Sequence, residues 1–296
     1  MKKCLVIGAA MLDIVVQMDR LPKSGEDVYM KSQKMTVGGC AYNVADILKH
    51  FQIPYTLFAP VGTGVYGEMI RKELKKNGHT SIIQAGMDNG YCMCIVEADG
   101  ERTFMTLPGA ECRFEREWFE ELRPEEYDAV YVCGYEIEGE GGEAIVEFLE
   151  GHPEMTVYYA PGPRITYIAE EKQKRLFALH PILHLNDKEA LDYTGADIIQ
   201  EAAEKLYEKV RNTVMITLGA SGVYLKGKEA KRIPAEKATV VDTIGAGDSH
   251  IGSVIAMRQR KSSFEEAIRT ANKVAALVVG VQGPTLTEEQ FRLGGF

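Results

Sequence analysis

The sequence predicts an α/β protein: a mostly parallel central sheet with helices on both faces, forming a three-layer sandwich, and a small antiparallel β lid set apart from it. Three observations carry this. From Tyr127 onward, apolar strand-like runs at 129–133, 156–160 and 183–185 alternate with helical stretches such as 144–149, the pattern of a parallel sheet. Two strand-like runs, 91–98 and 101–107, flank Asp99-Gly100, a strong hairpin signal, and residues 14–36 read as extended segments around a turn at 22–25. Finally, 296 residues with 45% hydrophobic content suffice for one large α/β domain, and no linker, repeat or low-complexity tract divides the chain. Residues 1–296 therefore read as a single domain, with a lid from about 14–36 and 88–107.

Composition excludes several classes. A net charge of −9 argues against a nucleic-acid binder, and no apolar run approaches bilayer length. The opening Met1-Lys2-Lys3-Cys4 resembles a signal n-region, but the apolar run stops at Asp13 without a cleavage pattern, so it reads as a buried first strand. The six cysteines are scattered and without zinc spacing, which suits reduced thiols in the cytoplasm. No G-x-x-x-x-G-K-[ST] occurs, nor the protein-kinase motifs.

In chain order, residues 4–10 form a nearly continuous apolar run suited to a central strand, and Asp13 follows near its carboxyl end, where open α/β sheets bind ligands. Asp13 is either a ligand contact or a turn carboxylate. Gly38 and Gly39 then feed a helix with Ala41, Val44, Ala45 and Leu48 at helical spacing, and Asn43 lies in its first turn. Gly62-Thr63-Gly64-Val65-Tyr66-Gly67 spells G-x-G-x-x-G after a strand at 55–59, which raises an NAD(P)-dependent oxidoreductase as a remote alternative. No acid ends a second strand about twenty residues later; the nearest, Asp88, sits in a turn. Asn186 and Glu189, at the end of the 183–185 run, read either as a helix cap or as oxygen ligands for Mg²⁺. A strand at 214–218 precedes Gly219 and Gly222, and Ser262 with Glu265 predicts a capping box before a last amphipathic helix containing Asn272.

The most informative string is Asp242-Thr243-Ile244-Gly245-Ala246-Gly247-Asp248, after the β-branched run Thr239-Val240-Val241. It reads as a strand, a tight glycine turn and a helix N-terminus whose unpaired N–H groups and dipole make an anion site. A carboxylate there, Asp248, can take a proton from an alcohol while the turn holds the phosphate under attack.

This string resembles the C-terminal signature of the ribokinase family, the phosphofructokinase B type of carbohydrate kinase. The resemblance extends over nearly the whole chain and implies a ribokinase-like fold. It implies Asp248 as catalytic base, with Gly245, Ala246 and Gly247 as anion hole, and Asp13, Gly38, Gly39 and Asn43 binding the sugar. It implies Asn186, Thr217, Gly219, Gly222 and Asn272 at the nucleotide, the last at adenine unless it is a solvent-facing polar residue. Glu189 would organise Mg²⁺ through water, and Asp242 with the backbone near Ile244 would border a monovalent cation such as K⁺. The lid would cover the sugar and pair subunits in a homodimer. Two departures stand out: Cys40 follows the glycine pair where ribokinases proper often carry lysine, and Gly64 replaces the aspartate of V-G-x-D-x-x-G.

The expected function is an ATP-dependent sugar kinase, with a nucleoside kinase of the same fold as the alternative. The stretches assigned to the pocket, 11–13, 37–43 and 93–105, hold one cationic side chain, Arg102 near the lid tip, so an uncharged acceptor is expected. Met11, Tyr42, Met93, Phe104 and Met105 there either line a sugar or base or form lid core.

Overall fold

A computed structural model describes all 296 residues. In chain order the strands are β1 (Lys3–Ile7), β2 (Met11–Gln17), β3 (Ser32–Gly38), β4 (Tyr55–Val61), β5 (Ser81–Gln84), β6 (Tyr91–Val96), β7 (Arg102–Leu107), β8 (Tyr127–Cys133), β9 (Thr156–Ala160), β10 (Ile182–Asn186), β11 (Val214–Thr217), β12 (Val223–Lys226) and β13 (Ala230–Ile233). Nine form the central sheet in the order β13-β12-β11-β10-β9-β8-β1-β4-β5; the other four form the lid in the order β3-β2-β6-β7. All neighbours in the large sheet are parallel except β11–β12 and β12–β13.

β1 shows why three layers form. Its side chains alternate between two separate cores, Cys4 and Val6 in one, Leu5 and Ile7 in the other, all buried. The first core takes the helices Cys40–His50, Ala246–Gln259 and Phe264–Val278; the second takes Gly142–Gly151, Glu170–Ala178 and Ile199–Val210. A strand buried on both sides has no polar face, hence the continuous apolar run. Parallel strands share a carboxyl edge, which brings the ends of β1, β8, β10 and β11 together.

The lid is a sheet of two antiparallel hairpins, β2–β3 and β6–β7, joined by a parallel seam between β2 and β6. Leu12, Ile14, Val16, Met18 and Ile95 form its own small core.

Three local expectations are corrected. Residues 239–241 form no strand: Val240 and Val241 are 64% and 58% exposed and join neither sheet. The segment hangs instead on Val279 O, which accepts from Val241 N at 2.7 Å and Asp242 N at 3.2 Å. β1 ends at Ile7, so Asp13 lies inside lid strand β2 and not just past the first strand. The capping box uses Ser263 and Glu266, since Ser262 N still bonds to Met257 O and completes the end of the previous helix. No helix of the structure is long and apolar enough to cross a membrane.

Candidate active site

The glycine pair and Asp13 explain one another. In β2–β3 register Asp13 faces Thr36, and its carboxylate folds over Gly38, where a Cβ would collide with Oδ2. Gly39 has φ +103, and a Cβ there would lie 2.5 Å from Ala9 O in the β1–β2 connection. One glycine thus makes room for a carboxylate and the next for a backbone turn. From Gly39 the helix Cys40–His50 starts, and Asn43 in its first turn donates Nδ2 to Asp248 Oδ2 at 2.8 Å, across 205 residues. Asn43 Oδ1 is buried and has no donor.

The opposite wall is the Asp242–Asp248 turn. Gly245, the N-cap of helix Ala246–Gln259, has φ +76, and its α-carbon packs so closely on the 283–284 backbone that a Cβ would sit 2.6 Å from Pro284 O. Ala246 N bonds to Thr243 O at 3.3 Å, whereas the amides of Gly245, Gly247 and Asp248 have no partner in the chain. A Cβ on Gly247 would meet nothing within 4 Å, so that side of the turn is open. Of the three predicted anion-hole residues, the two glycines present free amides; the Ala246 amide is engaged, and the Asp248 amide is free. Free amides at a helix N-terminus attract an anion.

Burial raises the pKa of Asp248 above the usual carboxylate range, against the hydrogen bonds from Asn43 and Cys40 that lower it. Burial, and secondarily the charge of Asp248, pushes Asp13 up to about 7. The two carboxylates therefore repel one another. Sequence reasoning missed the buried carboxylate of Glu136. Cys133 Sγ donates to Glu136 Oε2 at 2.6 Å, Ala9 N donates to Glu136 Oε1 at 2.8 Å, and Glu136 is 1% exposed. Burial lifts Glu136 to about 7. Glu136 clamps the backbone turn against which Gly39 packs. Tyr135 beside it is 43% exposed at the carboxyl end of β8, close to Cys40, Cys133 and the lid's Cys92. Its signal was position, directly after a parallel strand.

On the expected nucleotide side, Asn186 caps the helix Asp187–Thr194 in a closed box: Glu189 N donates to Asn186 Oδ1, while Asn186 N and Nδ2 donate to the two Glu189 oxygens at 2.9 and 2.8 Å. No group of three His, Cys, Asp or Glu residues is placed to hold a metal. A hydrated Mg²⁺ touching Glu189 through water fits this; direct ligation would have to break the cap. Thr217 donates its hydroxyl to Leu185 O at 3.3 Å, Gly219 stands in open space at φ +53, and Gly222 is close against Ile233 O of β13. Asn272 is not solvent-facing, and its side chain is tied into the body. It is 7% exposed, accepts from His250 Nε2 at 3.2 Å and donates to Pro234 O at 2.8 Å. Because Asn272 Oδ1 is the acceptor, His250 carries its proton on Nε2, and its Nδ1 accepts from His184 Nε2 at 3.0 Å.

The G-x-G-x-x-G stretch does not await a dinucleotide. Asp88 reaches into the N-terminus of helix Val65–Lys76, accepting from Gly67 N at 2.8 Å and Tyr66 N at 3.3 Å, and a Cβ on Gly64 would collide with it. The aspartate missing at position 64 is supplied from 88. Asp242 also departs from expectation. Its Oδ1 accepts from Ile244 N at 3.0 Å and Arg102 Nη1 at 3.1 Å, and its Oδ2 from Gly283 N at 3.2 Å. With a guanidinium beside it, this side chain has its charge balanced and does not fit a monovalent cation as ligand. Tyr42 is buried in the body core and bonded to Asn77, while Phe104 and Met105 are over half exposed, so none of these three is lid core.

Known proteins resemble this chain in sequence and in fold. A family model described as pfkB family carbohydrate kinase matches residues 1–290. The chain is 37% identical over 285 residues to the "Uncharacterized sugar kinase YegV" of Escherichia coli (strain K12), covering 94% of this chain and 89% of that protein. Its fold is similar to ribokinase from Thermotoga maritima, with a TM-score of 0.86, 23% identity and 99% of both chains covered. It is also similar to aminoimidazole riboside kinase from Salmonella enterica, with a TM-score of 0.81, 23% identity and 99% of both chains covered.

Proposed function

The chain belongs to the pfkB family of carbohydrate kinases, and on that premise we propose that it transfers the γ-phosphate of ATP to a hydroxyl of a free sugar, with Asp248 as general base. The observation that carries the reading is Asp248 itself, oriented by Asn43 at 2.8 Å and flanked by free amides at a helix N-terminus.

The acceptor hydroxyl sits between Asp248 and the γ-phosphate. Asp248 takes its proton as the oxygen–phosphorus bond forms and the bond to ADP breaks. The Gly245 and Gly247 amides and the Asp248 N–H stabilise charge on the transferring group. Asn43 Oδ1, which lacks a donor, accepts from a second hydroxyl, and Asp13 from a third. Glu189 would contact the water shell of a Mg²⁺ bound with ATP, an ion that would supply neutralisation of phosphate charge. Burial that raises the pKa of the base also brings it nearer to the working pH, where a general base is most effective.

An uncharged acceptor is supported by Arg102. It is the arginine of the lid hairpin and is spent on Asp242, so it is not offered to a second phosphate. A nucleoside remains the second choice, supported by Tyr135 standing exposed at the pocket edge. A coupled ATP-consumption assay over free sugars, sugar phosphates and nucleosides tests this: kcat/KM should be highest for a free sugar, and preference for a phosphorylated one overturns the reading. Asp248→Asn should lower kcat by ~10²–10⁴ and leave ATP binding intact. Near-normal turnover would remove Asp248 from the mechanism.

Six free cysteines suit a reducing, ATP-supplied cytoplasm, and the net charge of −9 suits neither nucleic acid nor an anionic membrane surface. A homodimer through the lid is supported by β7, an edge strand with Phe104, Met105 and Leu107 all exposed.

A further inference from the structure

A single ion pair joins the lid sheet to the body: Arg102, the first residue of β7, reaches Asp242 across 140 residues of sequence. The pair is shielded, its side chains 28% and 11% exposed. Asp242 is the staple of the anion turn, holding Ile244 N within the turn and Gly283 N in the loop behind it. Gly245 rests on Pro284 of that same loop. Hydrogen bonds from Ile244, Arg102 and Gly283 outweigh burial and hold the Asp242 carboxyl below its ordinary range, so it is charged when the lid is down.

We infer that Arg102 is a positioning residue that couples lid closure over the acceptor to the geometry of the anion turn. When the hairpin tip docks, the guanidinium shares Oδ1 with the Ile244 amide and fixes the carboxylate in the orientation that holds both loops. When the hairpin lifts, Asp242 loses its one cationic partner and the turn loosens. The chemistry is thereby confined to the closed state, where water is excluded from the phosphate. Lysine would keep the charge but not the planar fork.

This inference rests on the kinase reading above, and its test has one arm that does not. Arg102→Met and Arg102→Lys are compared with the parent by sugar-kinase kinetics and by hydrogen exchange of the 97–107 and 242–247 amides. For Arg102→Met, kcat should fall about tenfold or more, the worth of a hydrogen bond between charged groups. Exchange should quicken in both segments, and Arg102→Lys should recover part of each effect. ATP affinity should change less than about twofold, a difference well below one hydrogen bond. Unchanged exchange in 242–247 overturns the coupling, whatever the kinetics show. Faster exchange with unchanged kcat reduces the pair to a structural contact and overturns the positioning role. A parent protein without kinase activity would refute the proposed function, while the exchange arm would still decide whether the tip and the turn are coupled.

Discussion

Asp13 and Asp248 lie close enough for their charges to interact, and that has a cost that can be read from pH. Burial first, then Asp248, raises Asp13 from 3.8 to about 7 in the folded protein. A carboxyl whose folded pKa is raised binds its proton more tightly when folded. Its favourable contribution is therefore present below the unfolded value and is lost as pH rises through about 7. Asp13→Asn removes the ionisation, so its melting temperature should exceed the parent's at pH 8, and the gain should vanish toward pH 4. Acceptor KM should rise, since a charged hydroxyl acceptor is lost. Equal melting temperatures at pH 8 would mean that Asp13 is not held against its own charge. Residues of this kind are half-legible in sequence: a carboxylate near a strand end was visible, but its pressure on Gly38 and Asp248 is set by contacts made far along the chain.

At the scale of elements, two glycine-led helix N-termini look alike in sequence and differ in structure. The turn before Ala246–Gln259 is held at Gly245 with φ +76 against Pro284 and leaves its amides free. Gly245→Ala should cost about 1–2 kcal/mol for left-handed backbone alone, measured by urea unfolding, and should depress kcat further because the 283–284 loop must shift. A variant with parental kcat would take the turn out of the mechanism. The turn before Val65–Lys76 is already filled by Asp88. Asp88→Ala should lower stability by about 0.5–2 kcal/mol, the worth of a helix cap, with little change in acceptor KM. Loss of ATP binding in that variant would instead mark the helix as a phosphate site. The glycine spacing could not separate the two cases, because the deciding group, a carboxylate at position 88, arrives from another element.

Over the whole molecule, the lid has its own small core but shows an open apolar edge at β7. An unpaired apolar edge strand invites a partner. Sedimentation should find a dimer, and Phe104→Lys should shift it toward monomer; a monomeric parent at assay concentration would overturn the lid dimer. The hairpin was foreseen from Asp99-Gly100, and so was the extended pair around residues 22–25. The parallel seam between β2 and β6 was not, because Leu12 to Val96 span a pairing that no local pattern encodes.

What the sequence alone determined is the local and periodic part of this protein. Continuous apolar runs specified strands buried on two faces, helical spacing specified the covering helices, and the seven residues 242–248 specified a glycine turn that opens a helix with a carboxylate in its first turn. Tertiary structure decided which groups meet. It sent Asn43 to Asp248, Asp88 into the Gly64 gap, Asn272 to His250 and Arg102 to Asp242, over separations from 22 to 205 residues. Periodicity records which face a residue takes, since that depends on its immediate neighbours. A polar partner depends on how distant elements pack, and only the folded chain contains that distance.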